Sequence, residues 1–239
     1  RIDPVEKENF SRYDATTEPI IISQSEISSF NSINHMKSST KSIIKSESDD
    51  YQVLEIQYDP FIITIFDKDM KTKRLTINKD NTAIFETHRD KSKYPELFES
   101  SYWSYHDDQF KNGPTSVALD IDFNSKDVRL SGLSEHTLPL TLPNTVNLTD
   151  PIRFFNTDIN SFEVNSVMAM YGTTPFIFSH STEGFDGVFW CNPSETWTDI
   201  SDLSDHQGKR VRMMSEGGYI DLFISAGCST PSKVSDIYT

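Results

Sequence analysis

Short runs of β-branched and aromatic residues, separated by turn residues, dominate the hydrophobic pattern of this chain. Residues 116–123 alternate between apolar and polar with a period of two, which predicts a strand buried on one face. Asp67-Lys68-Asp69 and residues 78–81 have the composition of tight turns. Long helical periodicity is not found, so the pattern predicts an all-β fold, a large antiparallel β-sandwich. The predicted strand runs are residues 53–58, 61–66, 74–77, 82–85, 116–123, 154–155, 175–179, 187–190 and 219–224.

The first fifty residues have a different composition from the rest. Residues 21–48 contain ten serines, interleaved with Lys, Asn and short aliphatic pairs. A segment with so few apolar residues cannot offset the entropy lost on ordering. The sequence therefore predicts a partly disordered N-terminal segment at 1–50, with a Ser-rich variable insertion, ahead of a folded β-sandwich domain at 51–239. Residues 19–22 are a candidate short strand within that segment.

Charge and hydropathy exclude several classes of function. Lys and Arg number 22 against 36 Asp and Glu, which gives 22 − 36 = −14. This balance is unsuited to binding nucleic acid, where affinity depends largely on cationic contacts, or to an anionic membrane surface. No run of about 18 apolar residues exists, so no membrane span is expected. The 16 Phe, 9 Tyr and 3 Trp are enough to fill a sizeable core.

Cysteine usage gives little information about redox chemistry or metals. Cys191 and Cys228 are too few for a disulfide framework. Two alternatives remain open: two separate thiols, or one disulfide between them. The absence of a CxxC motif or a Cys/His cluster gives no indication of a zinc site, and no cofactor is expected. Asn9 and Asn147 begin the glycosylation triplets Asn-Phe-Ser and Asn-Leu-Thr, which permit a location in the secretory pathway.

Six sequence blocks follow one another along the chain: NGPTSVALD at 112–120, SGLSEH at 131–136, FNTD at 155–158, MAMYGTTP at 168–175, GVFWCNPSETWTDI at 187–200 and MSEGGYID at 214–221. In this order they resemble the N-terminal, galactose-mutarotase-like domain of glycoside hydrolase family 31. The resemblance covers about residues 51–239. Within the family it is closest to the catalytic alpha subunits of endoplasmic-reticulum glucosidase II.

This resemblance implies an enzyme that hydrolyses α-glucosidic bonds with retention, using two carboxylates. In the family both carboxylates lie on a (β/α)8 barrel that follows this domain. We therefore expect no catalytic residue in this chain, which stops about where the barrel should begin, and no activity of the fragment alone. Its expected partners are that barrel, in a continuing or separate chain, and an oligosaccharide substrate. A regulatory beta subunit is a further candidate partner.

By the same resemblance, the parent enzyme would trim α-1,3-linked glucose from N-glycans in the lumen of the endoplasmic reticulum. Asp158 matches the Asp of the family's Tyr-Asn-Leu-Asp block, which hydrogen-bonds sugar hydroxyls. An ionised carboxylate can accept such hydroxyls and impose orientation without performing chemistry. The alternative for Asp158 is an Asx-type turn residue.

Glu135 and His136 are the second candidates, either as ligands of substrate or as residues that fix the loop near the domain–barrel interface. Asp199 ends a Trp-Thr-Asp stretch that superficially resembles the family's nucleophile motif. The block before it matches a strand and turn of the N-terminal domain, so we interpret Asp199 as a turn or hydrogen-bonding residue.

Two other classes of function remain open. A non-catalytic carbohydrate-binding β-sandwich would stack exposed aromatic side chains on sugar rings, and Trp103 and Tyr105 are candidates. A free-standing aldose mutarotase would need a paired acid and base within one sandwich, and no His/Glu constellation supplies them convincingly.

Overall fold

The computed structural model describes residues 33–46, 52–86 and 116–238. Within this part the chain forms fourteen strands and one short helix. Each of the nine predicted runs contains or overlaps a strand, so the all-β prediction is confirmed. The elements are β1 (Ile33–Lys37), β2 (Lys41–Ser46), β3 (Val53–Tyr58), β4 (Phe61–Phe66), β5 (Lys73–Ile77), β6 (Ile84–Phe85), β7 (Val117–Phe123), β8 (Arg129–Ser134), β9 (Ile152–Phe154), β10 (Thr174–Ser181), β11 (Gly184–Trp190), β12 (Thr196–Asp202), β13 (Lys209–Ser215), β14 (Leu222–Cys228) and α1 (Pro231–Tyr238).

The strands of the described part form two antiparallel sheets that pack as a sandwich. The large sheet has the order β1-β2-β3-β4-β5-β7-β13-β12-β9, and β6 also pairs with β7. The small sheet has the order β14-β11-β10-β8. Leu119 and Ile121 of the large sheet and Val188 and Trp190 of the small sheet belong to one core cluster and are at most 1% exposed. The predicted β-sandwich is therefore confirmed.

Strand β7 is buried on both faces, although its pattern predicts burial on one. Its polar face carries Asp120 and Asp122, which lie opposite Arg212 and Arg210 of β13. Arg210 Nε donates to Asp122 at 2.7 Å, and Arg212 Nη1 donates to Asp120 at 2.6 Å. The bond to Asp122 is the largest cause that holds the pKa of Arg210 above its usual value. Each guanidinium offsets part of the desolvation of its carboxylate, so this face can be buried.

A buried ion pair joins the two sheets. Arg74 of β5 and Asp186 of β11 are 3% and 5% exposed, and Arg74 Nε and Nη2 both donate to Asp186 Oδ1, at 3.1 and 3.0 Å. Ser179 Oγ donates to the other carboxylate oxygen at 2.9 Å, and the Gly227 amide donates to Oδ1 at 2.9 Å. This carboxylate therefore accepts hydrogen bonds from both sheets.

Residues 33–46 form an antiparallel hairpin that extends the large sheet, because β2 pairs with β3. The disorder predicted for residues 21–48 therefore does not extend to this hairpin. The remaining residues of that segment lie outside the described residues, as do the candidate strand at 19–22, Asn9, Trp103 and Tyr105.

Cross-strand polar contacts explain why this Ser- and Lys-rich hairpin joins the sheet. Lys41 Nζ lies 2.7 Å from Glu55 Oε2 of β3. The Ser42 hydroxyl lies 2.5 Å from the Tyr58 hydroxyl, and Ser42 is buried. Opposite charges and hydroxyl pairs that face one another across strands stabilise a sheet, and composition alone does not reveal them.

Both predicted turns are confirmed. The Met70 amide donates to Asp67 O at 2.8 Å in the β4–β5 connection, and the Asn81 amide donates to Asn78 O at 3.1 Å after β5. Helix α1 was not predicted, since eight residues are too few to show helical periodicity. It packs on β11 and β14, where its Val234 side chain is buried against Gly187.

Cys228 is a free and buried thiol, so the two cysteines of the chain are not bonded to one another. Its Sγ lies 3.1 Å from Ser225 Oγ. Among the described residues, no helix is long and apolar enough to cross a membrane.

Candidate functional site

The connection between β9 and β10, residues 155–173, carries Asp158 and is called here the β9–β10 loop. Its two limbs are held side by side by hydrogen bonds. The Thr157 amide donates to Met170 O at 2.8 Å, and the Tyr171 hydroxyl donates to Ile159 O at 2.5 Å. The loop contains no helix or strand, so its shape depends on these bonds and on its neighbours.

Apolar side chains are exposed along this loop. They are 40–75% exposed, and they are Phe155, Phe162, Val164, Met168 and Tyr171. Asp158 is exposed among them. Exposed apolar side chains that form one patch on a folded domain mark a contact surface, and five exposed apolar side chains lie on this one loop. An exposed carboxylate within such a surface can accept hydroxyl hydrogen bonds from a ligand held there.

Glu135 fixes the β9–β10 loop to the end of β8. The Gly172 amide donates to Glu135 Oε2 at 2.9 Å, and the Glu135 amide donates to Gly172 O at 3.0 Å. Two residues on, Thr137 O accepts the Asn165 amide at 2.8 Å, and Thr137 Oγ1 accepts the Ser166 amide at 3.1 Å. Residues 135–137 thus hold the loop at its returning limb and near its middle.

His136 also contacts backbone. Its two ring nitrogens lie 2.8 Å from Leu133 O and 3.0 Å from Arg153 O, and its ring meets Phe154 edge-on. Both Glu135 and His136 therefore contact the backbone that positions this region. Among the described residues, neither of them forms a hydrogen bond or an ion pair with Asp158.

Arg153, which the sequence analysis did not single out, organises the strand that leads into the loop. Its guanidinium carbon lies 4.7 Å from the centre of the Phe155 ring and 4.9 Å from that of Trp197, as in cation–π contacts. It also forms an ion pair with Glu195, and this hydrogen bond raises the pKa of Arg153. The sequence offers the spacing of Arg153 and Phe155, two residues apart, as a local signal for this cluster, whereas the contact with Trp197 is set by strand register.

A groove of about 580 Å³ opens beside the start of the loop. It is lined by Phe155 and Asn156 of the loop, and by residues 189–196, which form the turn between β11 and β12 and the strand ends beside it, among others. Asn192 shapes that turn, since its Nδ2 donates to Gly217 O at 2.8 Å and to Tyr219 O at 2.9 Å. The groove therefore lies between the β11–β12 connection and the start of the β9–β10 loop.

Asp199 lies within β12, where Thr145 Oγ1 donates to its Oδ1 at 2.7 Å. It is thus a hydrogen-bonded residue of the large sheet. Among the described residues, no group of three or more His, Cys, Asp or Glu side chains could hold a metal ion.

Comparison with known proteins identifies the family of this chain. Residues 2–199 match the family described as the glycosyl hydrolase 31 N-terminal galactose mutarotase-like domain. The chain belongs to this family. The match takes in the hairpin at residues 33–46, and it ends within β12.

Relatives of this glycosyl hydrolase 31 domain are much longer proteins. Glucosidase 2 subunit alpha of Schizosaccharomyces pombe is 32% identical over 95% of this chain and 25% of that protein. The Saccharomyces cerevisiae protein of the same name is 31% identical over 88% of this chain and 22% of that protein. The chain therefore spans about a quarter of the length of these relatives.

Solved structures show the same fold. A crystal structure of a glucosidase II alpha subunit in an alpha3-Glc2-bound form has a TM-score of 0.73 and 26% identity, covering 86% of this chain and 24% of that one. A heterodimeric ER glucosidase II complex, consisting of the catalytic subunit and the binding domain of the regulatory subunit, has a TM-score of 0.74 and 25% identity with the same coverage.

Proposed function

We propose that this glycosyl hydrolase 31 domain caps the catalytic barrel of an α-glucosidase and helps to form its sugar pocket. The observation that carries the proposal is the β9–β10 loop, which presents five exposed apolar side chains and the exposed Asp158. An apolar surface of this kind gains stability when another body covers it. The barrel of the same enzyme is the proposed cover.

Asp158 orients the substrate in this proposal. An ionised carboxylate accepts hydrogen bonds from two sugar hydroxyls and so restricts the orientation of the ring. The contacts of residues 135–137 with the loop restrict where Asp158 can lie. Glu135 and His136 act as positioning residues, since the contacts described for them are with backbone. Both catalytic carboxylates of the retaining mechanism lie on the barrel.

The proposed substrate is α-1,3-linked glucose at the ends of N-glycans, and the proposed location is the lumen of the endoplasmic reticulum. Support comes from the relatives named glucosidase 2 subunit alpha and from the alpha3-Glc2-bound structure. A regulatory subunit is proposed as a further partner, because a structurally similar catalytic subunit forms a heterodimer with one.

Isolation of the native protein tests this function. An antibody raised against the 239-residue chain is used to purify the protein from its source, and the bound material is assayed on α-1,3- and α-1,4-linked glucose disaccharides. We expect a polypeptide about four times the length of this chain, as in the relatives, that hydrolyses the α-1,3 linkage. Material captured with pre-immune serum is the control.

A lone 27.3 kDa chain without hydrolytic activity would contradict the proposal. If that chain bound oligosaccharide, the domain would instead be a non-catalytic carbohydrate-binding module. A long polypeptide that prefers the α-1,4 linkage would retain the capping role and overturn the proposed substrate.

A further inference from the structure

A surface turn ahead of β9 presents an acceptor triplet for N-glycosylation. Asn147, Leu148 and Thr149 are all exposed and fit the pattern Asn-x-Thr with x other than Pro. The turn is closed by the amides of Leu148 and Thr149, which donate to Thr145 O at 2.9 and 3.0 Å. The Asn147 side chain takes part in neither bond. Its amide nitrogen is therefore not used in holding the turn.

The turn is anchored to the edge of the large sheet. The Thr145 amide donates to Ile200 O at 2.8 Å, and the Ile200 amide donates to Thr145 Oγ1 at 2.8 Å. Among the described residues, strand β9 pairs with residues 196–198 of β12 alone. Beyond that point the turn covers the edge of β12, and unprotected strand edges favour unwanted association.

The turn that carries the acceptor contacts β12 at a different point from the start of the β9–β10 loop. Thr196 pairs with Phe154, where that loop begins, whereas the turn contacts Ile200. Four residues of strand separate these points by about 13 Å. Val146 and Leu148, which flank the acceptor, are 42% and 72% exposed. A glycan here would shield both aliphatic side chains.

We propose that Asn147 carries an N-linked glycan. The donor class is a lipid-diphosphate-linked oligosaccharide. The Asn147 Nδ2 forms a bond to the anomeric carbon of the first sugar and loses one proton. At the same time the bond from that carbon to the diphosphate oxygen breaks, and the lipid diphosphate leaves. The inference rests on the lumenal location given under the proposed function, because this transfer occurs in the secretory pathway.

The test uses the 239-residue chain directed into the endoplasmic reticulum of a eukaryotic host, and the native protein isolated with the antibody. Each is compared before and after treatment with an endoglycosidase, by intact mass and by mapping of the glycosylated peptide. Asn147→Gln and Thr149→Ala should abolish the modification at Asn147. Thr149→Ser, which keeps the acceptor triplet, is the matched control and should retain it. Asn9→Gln removes the contribution of the other triplet.

A glycan on the peptide that contains Asn147, in both the directed chain and the native protein, supports the inference. Absence of that glycan from the directed chain overturns the acceptor assignment and leaves the proposed function standing. Presence on the directed chain but absence from the native protein overturns the inference, because the acceptor is then not used in the whole protein.

Discussion

Replacement of Asp186 by Asn should destabilise the domain strongly, because it breaks the ion pair that joins the two sheets. The substitution keeps the shape of the side chain and one acceptor oxygen, and it removes the negative charge. The Arg74 guanidinium, 3% exposed, then stays buried without its hydrogen-bonded charge partner and keeps the more exposed Asp67, whose Oδ1 lies 3.8 Å from Arg74 Nε. Ser179 and Gly227 lose an ionised acceptor at the same time.

The size of the effect follows from burial. Breaking a buried ion pair by removing one partner costs about 3–5 kcal/mol. A domain of this length has a free energy of unfolding of about 5–15 kcal/mol, and 1 kcal/mol shifts Tm by roughly 2–4 °C. We therefore expect Tm of Asp186→Asn to fall by roughly 6–20 °C.

The assay is thermal unfolding followed by circular dichroism, with Asp202→Asn as the matched control. Asp202 pairs with Lys209 at 2.7 Å, but its side chain is 47% exposed, so the cost should stay below about 1 kcal/mol. The double variant Arg74→Met/Asp186→Asn should lose less stability than the sum of the single variants, since the two residues are coupled. Two results would refute the reasoning. One is a loss in the double variant that equals the sum of the losses in the single variants. The other is a Tm of Asp186→Asn within about 2 °C of the wild type, which is a shift as small as that expected for Asp202→Asn.

Three further predictions concern single groups and activity. Burial raises the pKa of Asp67, despite the nearby Arg74, so the charged form of this carboxyl is disfavoured in the folded state. Asp67→Asn should therefore raise Tm at pH 7. The gain should disappear at a pH below the ordinary aspartate pKa, where the carboxyl is protonated in both states. A series of melting curves against pH checks the sign, and an unchanged or lowered Tm at pH 7 would contradict it. Glu135→Ala should speed amide hydrogen exchange in peptides from the β9–β10 loop. Glu135→Gln keeps an acceptor for the Gly172 amide, so its loop should exchange more slowly than that of the alanine variant. Equal exchange in both variants would show that the side chain does not fix the loop. The isolated chain should not hydrolyse aryl α-glucosides, and hydrolysis that is lost in Asp199→Asn would contradict this.

Local pattern was sufficient to predict the strands whose side chains are β-branched or aromatic. Residues 53–58 and 61–66, for example, are β3 and β4 as expected. The β1–β2 hairpin could not be predicted in the same way, because its pairing depends on partners such as Glu55 and Tyr58 in the next strand. The two-sided burial of β7 depends likewise on Arg210, which is 88 residues from its partner Asp122.

The candidate site was predicted only in part. The Asp158 position followed from a resemblance to family 31, and the structure adds that this residue is exposed on a loop with apolar neighbours. The bond from the Gly172 amide to Glu135 spans 37 residues, so no local pattern indicates it. The Arg153 cluster depends on strand register, which sets Arg153 opposite Trp197. Register of this kind is a property of the folded sheet.

The most direct test of the central claim is the kcat/KM of Asp158→Asn in the full-length enzyme that contains this domain, measured on an α-1,3-linked glucose disaccharide. A hydrogen bond to a charged acceptor contributes about 1.5–3 kcal/mol, so kcat/KM should fall by about one to two decades. Tm should change little, because Asp158 is exposed, and Asp150→Asn, another exposed carboxylate near the start of β9, should leave kcat/KM unchanged. An intact kcat/KM together with a lowered Tm would contradict the account and assign Asp158 to the fold alone.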